Sequence, residues 1–241
     1  MGTPREIKVD TLDGFLAESR PKSSDRKYLF RGVDNRSHNL TPSVARTRKR
    51  GTYPAISVDE ERLALERFRD QVRPHVGHTI GNDLEWLIVA QHHGLPTRLL
   101  DWTYSPLVAA YFAVKTIEGT KMSPSGEIDL IDGAVHAVPR PEELRLSTNS
   151  DPFAKHGVRT VEPPHVSERV PRQMSVLTLH EVPTDPWEPV DAVLFVFPNQ
   201  QKLKVKFELD QLGFNEASLF PGIDGAAAYL RWRMKWNRLM P

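Results

Sequence analysis

A dense group of polar side chains occupies one short stretch of the chain, residues 91–106. Side chains that could bind an anion, move a proton or hold a ligand are His92, His93, Arg98, Asp101, Thr103 and Ser105. Apolar segments lie on both sides, so we expect these groups to face the core. A neutral polar group buried without a partner costs about 1 to 3 kcal/mol, and a charge costs more. The group is therefore expected to be satisfied either internally, with Arg98 paired to Asp101, or by a ligand.

A second candidate point lies at the end of a predicted strand over residues 28–30. Arg31 would place a cation at the edge of this strand. Gly32 follows it, and a glycine at a strand end lets backbone or a ligand approach closely. The alternative for Arg31 is an ordinary salt bridge.

Metal binding is not expected in the polar stretch. His92, His93 and Asp101 are close in sequence, but adjacent histidines at the end of a helix point in different directions. Two ligands on one helix need a spacing of four residues. The sequence also lacks a Walker loop, a dinucleotide-binding glycine fingerprint, a nucleophile elbow and an aromatic platform for nucleic acid.

Two predicted helices position the polar stretch. The first runs roughly over residues 83–93, because Asn82 and Glu85 form a capping pair ahead of its apolar face. The second follows Ser105, a good N-cap, and has proline at its first position. Its residues 107–114 are apolar on all sides, which predicts a buried helix.

The other segments predict a chain of mixed helices and strands. Further helices are expected near residues 9–18, after Ser57, over 201–212 and after Asp224. Further strands are expected over residues 133–138, 175–179 and 192–197. The last two strands should be neighbours in the sheet, whereas residues 139–162 are predicted to form a loop. Residues 201–212 fit a strand by alternation and a helix by capping, and we favour the helix.

Length and composition fit one large domain. The chain has 241 residues, 39% of them hydrophobic and 26% charged, and none of it resembles a membrane span. The absence of cysteine excludes disulfides, and the N-terminus has no apolar secretory stretch, so a cytoplasmic location is expected. Basic runs at residues 46–50 and 231–238 fit solvated surface at a net charge of +1. We expect one domain over residues 1–241, with an N-terminal helix and linker in 1–26 and the core in 27–241.

Several segments together resemble the FRG domain, a family of bacterial and phage-borne proteins. The tripeptide Phe30-Arg31-Gly32 is the one that gives the family its name. A longer motif covers residues 90–103 and continues through 105–107 and 110–113. Further matches are Arg169 with Gln173 and residues 219–221, so the resemblance covers nearly the whole chain.

A weaker resemblance is to mono-ADP-ribosyltransferases of the Arg, Ser/Thr, Glu class. That class has an aromatic-Arg-Gly strand end, then a Ser-Thr-Ser strand before an Ala-x-x-Phe-Ala helix, and a late glutamate. Arg31 would match the first element, Thr103 and Ser105 with residues 109–113 the second, and Glu216 the third. The chain departs from the class in its second element, which reads Asp-Trp-Thr-Tyr-Ser, and in having a single acid in the third.

The second resemblance implies an ADP-ribosyltransferase-like α+β fold, a bent or split mixed sheet flanked by helices. Arg31 would hold the phosphates of NAD, the substrate, while Thr103 and Ser105 would line the ribose and orient the acid. Glu216 would stabilise the oxocarbenium-like transition state, and His92 would carry a proton or contact phosphate. Gly32, Arg98 and Asp101 would complete the NAD site.

The implied activity is transfer of ADP-ribose from NAD to a protein or nucleic-acid acceptor, as a toxin or phage-defence effector. The alternative is a catalytically inactive sensing or nucleic-acid-binding module of a phage-related system that uses the same cleft. The individual residues have structural alternatives too: helix caps for Thr103 and Ser105, a surface acid for Glu216 and a core histidine for His92. No membrane partner is expected, and the sequence leaves the oligomeric state open.

Overall fold

The computed structural model describes residues 4–46, 55–75, 80–117, 121–122, 128–129, 131–144, 151–164 and 168–236. Within them the strands are β1 (Arg5–Lys8), β2 (Tyr28–Val33), β3 (Leu99–Thr103), β4 (Lys121–Met122), β5 (Ile128–Asp129), β6 (Gly133–Pro139), β7 (Val158–Val161), β8 (Ser175–His180) and β9 (Val193–Phe197). The α-helices are α1 (Leu12–Ser23), α2 (Ser43–Arg46), α3 (Val58–Val72), α4 (Asp83–His92), α5 (Pro106–Val114), α6 (Arg169–Arg172), α7 (Asn199–Gln211), α8 (Glu216–Leu219) and α9 (Ile223–Lys235).

Seven of the described strands form one mixed sheet, in the order β1-β9-β6-β2-β3-β8-β7. The outer pair β1 and β9 is parallel, and the other neighbours are antiparallel. β2 pairs with β6 along all six of its residues. Over the same six described residues, β2 pairs with β3 at one position, Phe30 with Thr103. The sheet therefore consists of two well-paired halves that meet weakly between β2 and β3.

Five of the described helices cover one face of this sheet in two groups. Residues paired across antiparallel strands lie on the same face, so Phe30 and Thr103 mark that face. Around Phe30, α1, α5 and α7 pack over the half that contains β9, β6 and β2. Around Leu99, α3 and α4 pack over the half that contains β3 and β8. A gap is left between the two groups, above β2 and β3.

Two glycines let α5 lie directly on the sheet. A Cβ atom on Gly32 would come within 1.9 Å of the backbone oxygen of Ala109, and one on Gly133 within 2.0 Å of that of Ala113. Side chains at either position would force the helix away from the strands. The expectation that Gly32 permits close approach is confirmed, and the group that approaches is the backbone of α5.

Most predicted elements are confirmed, and the α+β class with a mixed sheet flanked by helices is confirmed with them. The predicted helix over residues 201–212 is α7, and the apolar segment after Ser105 is the buried helix α5. Two predictions are wrong. β8 and β9 are not neighbours, because β3, β2 and β6 lie between them. Residues 139–162 are not entirely loop, because they contain β7, which pairs with β8.

The N-terminal segment is part of the same core, since β1 forms the edge of the sheet and Leu12 and Phe15 of α1 are buried with α5. The basic run at residues 46–50 lies outside the described residues after Arg46, as does the end of the C-terminal run after 236. In the part of the chain that is described, none of the helices has both the length and the apolar character needed to cross a membrane.

Candidate functional site

A cleft of about 400 Å³ occupies the gap between the two helix groups. Its floor is formed by β2, β3 and β8, and its walls come from α4, α5, α6 and the residue that follows α8. The polar lining consists of Arg31, Gln91, His92, Asp101, Thr103, Arg169, Gln173 and Ser175. The apolar lining includes the rings of Phe30, Phe112 and Phe220. Cationic, hydrogen-bonding and flat apolar surfaces therefore meet in one concave site.

Arg31 crosses the space where β2 and β3 separate. Its Nη1 atom donates a hydrogen bond to the backbone oxygen of Asp101 at 2.6 Å and lies 3.9 Å from that residue's Oδ2. The side chain is 20% exposed, and burial lowers the pKa of the guanidinium. Its Nε atom is buried and has no hydrogen-bond partner among the described residues. Since buried N–H groups are nearly always bonded, this nitrogen is suited to an acceptor brought by a ligand.

Two histidines, His136, which is partly buried, and His180, which is buried, lie near Arg31 on the face of the sheet away from the helices. His136 is the cross-strand neighbour of Arg31, and His180 is at the end of β8. Burial is the main cause that lowers the pKa of each to about 4, and the charge of Arg31 contributes to both shifts. Both rings are therefore neutral near pH 7 and add no charge beside the arginine.

Asp101 is held by a chain of side-chain hydrogen bonds. Gln91 Nε2 donates to Asp101 Oδ1 at 2.7 Å, and the hydroxyl of Thr97 donates to the amide oxygen of Gln91. The backbone N–H of Thr97 donates in turn to Ser43 Oγ at 3.0 Å. The Asp101 side chain is 70% exposed, so its second oxygen stays open to the cleft while the first is fixed.

His92, on α4, and Arg169, on α6, both line the cleft. Burial, followed by the charges of His93 and Arg169, lowers the pKa of His92. The guanidinium of Arg169 lies 5.6 Å from the centre of the Phe220 ring. A neutral imidazole near pH 7 can accept or donate a hydrogen bond, and the two arginines then supply the positive charge of the site.

Thr103 connects the floor of the cleft to its wall. Its hydroxyl donates to the backbone oxygen of Gln173 at 2.7 Å and accepts from the N–H of Ser105 at 3.0 Å. Gln173 Nε2 donates to the backbone oxygen of Leu219 at 2.9 Å. The next residue, Met174, has a φ of +46°, a conformation that costs energy for a residue with a side chain. Such strain is typical of functional sites.

Ser105 caps a helix, which was expected from the sequence as the alternative to a role in the NAD site. Its hydroxyl accepts from the N–H of Val108 at 3.3 Å and caps α5. Among the described residues around the cleft, Ser105 is not in the lining. Its contribution to the site is therefore to fix the start of the helix that supplies Val108 and Phe112.

The predicted pairing of Arg98 with Asp101 is wrong. Arg98 is fully buried, and its Nε and Nη2 atoms donate to the two carboxylate oxygens of Glu61, on α3, at 3.0 and 2.9 Å. Its Nη1 atom donates to the backbone oxygen of Glu181 at 3.2 Å. Because Arg98 precedes β3 and points into the core under α3, its charge is satisfied away from the cleft.

Glu216, the acid assigned by resemblance, is also placed outside the cleft lining that the described residues form. Its Oε1 atom accepts from Lys206 Nζ at 2.7 Å, and the pair is buried. Burial, and then the charge of Glu216, raises the pKa of Tyr111. Tyr111 packs on Phe112 and Phe220, whose rings line the cleft. Glu216 is therefore near Tyr111 and not beside Arg31.

The cleft thus brings together Arg31, Gly32, His92, Asp101 and Thr103 from the predicted site and omits Arg98, Ser105 and Glu216. It adds Gln91, Phe112, Arg169, Gln173 and Phe220, for which the sequence had suggested no role. All five had appeared among the family matches, Arg169 and Gln173 as single residues. For these two, that was the one signal that could have marked them, because their segment has no helical or strand period.

Comparison with known proteins gives one match. Neither the curated proteins nor the solved structures provide a significant match to the chain. The family model of the FRG domain matches residues 26–121, a segment that includes β2, α4, β3 and α5. Arg31, His92, Asp101 and Thr103 lie inside this segment, whereas Arg169 lies beyond it. An FRG domain is therefore detected in residues 26–121, and this segment provides most of the polar lining of the cleft.

Proposed function

We propose that the cleft binds NAD and that the protein transfers the ADP-ribose group to a macromolecular acceptor. The observation that supports this best is that Arg31 and Arg169 line the same cleft as the rings of Phe112 and Phe220. NAD carries two phosphate charges between two flat ring systems, so it needs cations and apolar surfaces close together. The volume of about 400 Å³ is within the range of small-molecule sites.

Arg31 is the proposed phosphate contact. Its Nη1 atom is already bonded to the backbone of Asp101, which fixes the plane of the guanidinium. The buried Nε atom has no partner in the described structure, and a phosphate oxygen would satisfy it. Arg169 is exposed and stacks on Phe220, so it can move to the second phosphate without losing an ion pair within the described residues.

The reaction needs a carboxylate, and among the described residues Asp101 is the one that lines the cleft. In the transfer, the bond between the ribose C1′ atom and the nicotinamide nitrogen breaks, and its electron pair leaves with neutral nicotinamide. An acceptor hydroxyl or amine then bonds to C1′ and gives up its proton. The free oxygen of Asp101 would accept this proton, and the charge of the carboxylate would stabilise the cationic ribose.

One observation favours a second candidate, a binding module without catalysis. The glutamate that the transferase class would use is neutralised by Lys206 at 2.7 Å, outside the cleft lining among the described residues. In that case the same cleft would bind a nucleotide or nucleic-acid end as a sensor. A role as a toxin or phage-defence effector belongs to the first candidate and depends on transfer activity.

Replacing Arg31 with lysine should weaken NAD binding by roughly tenfold or more, because a hydrogen bond to a charged group is worth about 1.5–3 kcal/mol and lysine lacks the planar fork. Isothermal titration calorimetry of the full chain with NAD measures this change. Arg36→Lys is the matched control, since Arg36 pairs with Glu6 on the surface. Binding unchanged in Arg31→Lys, or no NAD binding by the wild-type protein, would contradict the proposal.

Replacing Asp101 with asparagine should reduce nicotinamide release by about a hundredfold while NAD affinity is nearly kept, because the shape remains and the charge is lost. Chromatography of released nicotinamide measures this. The melting temperature should change little, because the buried Arg98 has Glu61, and not Asp101, as its counter-charge. Glu216→Gln is the comparison variant and should keep turnover in the folded fraction. If wild-type protein binds NAD and releases no nicotinamide, the binding module is the better description.

A further inference from the structure

The last helix, α9, has an apolar stripe on its exposed side. Ile223, Leu230 and Met234 are 88%, 51% and 63% exposed, and Ala227 between them is exposed as well. Their spacing of four, three and four residues places them on one side of an α-helix. The other side of α9 is buried, where Trp232 packs on Phe207 of α7. Large exposed apolar surfaces on a folded protein mark interaction sites.

Charged side chains beside the stripe are arranged so that two copies of α9 running antiparallel would have complementary charges. Asp224 is in the first turn of α9, and Arg231 lies seven residues later on the same flank of the stripe. Both are exposed, and neither forms an ion pair within the described part of the chain. When two such helices run antiparallel, the same flanks face each other. The acid of one copy then lies near the base of the other.

We propose that the α9 stripe is the interface with a second copy of this chain, which docks antiparallel about a two-fold axis. A two-fold axis uses the same patch on both subunits, so one helix provides both halves of the contact. Ile223 of one copy would pack near Met234 of the other, and Leu230 would lie close to the axis. Ala227 keeps the surface low enough for the helices to approach each other closely.

A membrane surface fits the stripe less well than a second copy. A helix that lies in a bilayer interface is typically rich in Trp, Phe or Leu on its apolar side and basic on its polar side. Here the stripe contains alanine and no aromatic residue in its exposed positions, and its flank carries Asp224. The cleft lining in the described residues does not include α9, so the proposed interface uses none of the residues that line the cleft.

The expected dimer is weak. A helix of 13 residues is about 20 Å long, and one such pair buries less than the roughly 1,200–2,000 Å² of a standard interface. Association should therefore depend on concentration. This inference does not rest on the proposed function, because the stripe residues are outside the cleft lining and the association is measured without NAD.

Sedimentation velocity of the full chain over a wide concentration range tests the interface. The weight-average sedimentation coefficient should rise from the monomer value with increasing concentration, and Leu230→Glu should abolish the rise. Val190→Glu is the matched control, because Val190 is a 78% exposed apolar residue ahead of β9 and away from α9. A protein that remains monomeric throughout, or a dimer indifferent to Leu230→Glu, would overturn the proposal.

A charge exchange tests the antiparallel arrangement. Asp224→Arg and Arg231→Asp should each raise the dissociation constant, by roughly tenfold, because each places like charges opposite one another. The double variant Asp224→Arg, Arg231→Asp should return the constant to within a few-fold of wild type. Failure of the double variant to recover, or binding to anionic phosphatidylserine vesicles without self-association, would overturn the second copy as the partner.

Discussion

Replacing Glu61 with alanine should lower the free energy of unfolding by about 3 to 5 kcal/mol, because Arg98 would remain in the core without its counter-charge. Arg98 is fully buried, and Glu61 receives two of its hydrogen bonds in parallel. Backbone oxygens alone would be left to the guanidinium, and they cannot replace a carboxylate. Urea unfolding monitored by circular dichroism measures the loss.

Glu66→Ala is the control for this variant, because Glu66 is an exposed acid on the same helix, α3. It should change the free energy of unfolding by less than about 0.5 kcal/mol. The double variant Glu61→Leu, Arg98→Met should recover most of the stability, since an apolar pair of similar volume leaves no buried charge. Equal losses in Glu61→Ala and Glu66→Ala would show that the ion pair contributes little.

Replacing Gly32 with alanine should destabilise the protein by at least about 3 kcal/mol, which is at the upper end of overpacking effects. The added Cβ atom would come within 1.9 Å of the Ala109 oxygen and 2.8 Å of the Ala113 nitrogen. Both are backbone atoms of α5, so a side-chain rotation cannot relieve the clash. The helix would have to lift from β2, which would also move Phe112 out of the cleft wall.

Gly81→Ala provides the comparison for Gly32→Ala. A Cβ atom on Gly81 would be 3.6 Å from the nearest atom, an ordinary contact distance, and Gly81 has an unstrained φ. Thermal and urea unfolding of the two variants should therefore differ widely. Similar stability of both variants would mean that α5 does not lie as close to the sheet as described.

Elements set by local signals were predictable from the sequence, and their arrangement was not. The first residues of α4 and α5 could be predicted from the N-caps Asn82 and Ser105, whose side chains accept hydrogen bonds from N–H groups three residues later. No local pattern predicted β3, because its residues belong to the polar stretch, and only the weaker resemblance implied a strand there; its partners are on β2 and β8. The order of the sheet depends on such distant pairing. For that reason the best two strands, β8 and β9, were wrongly placed side by side.

In the site, too, contacts between residues far apart in sequence were not predictable, and this applies above all to the buried charges. Arg31, His92, Asp101 and Thr103 were predicted to share a cleft and do line one, while their roles in NAD chemistry stay predictions. The partner of Arg98 is 37 residues earlier in the chain, and no local pattern marks it.

Glu216 differs, because Lys206 is ten residues before it and could have been considered. The two residues are on separate helices, however, and the turn at Gly213 that brings the helices together has no sequence signature of an ion pair.

The weak seam between β2 and β3 has a consequence for how the protein opens. The halves on its two sides are each extensively hydrogen-bonded, whereas the described strands at the seam share the pairing of Phe30 with Thr103 and the contact of Arg31 with Asp101. Such halves can behave as separate cooperative units whose opening free energies differ. A ligand that binds Arg31 and Asp101 at the same time would connect the two halves of the sheet and stabilise the junction between β2 and β3. Ligand binding in the cleft would then make the two halves of the sheet open together, as one cooperative unit.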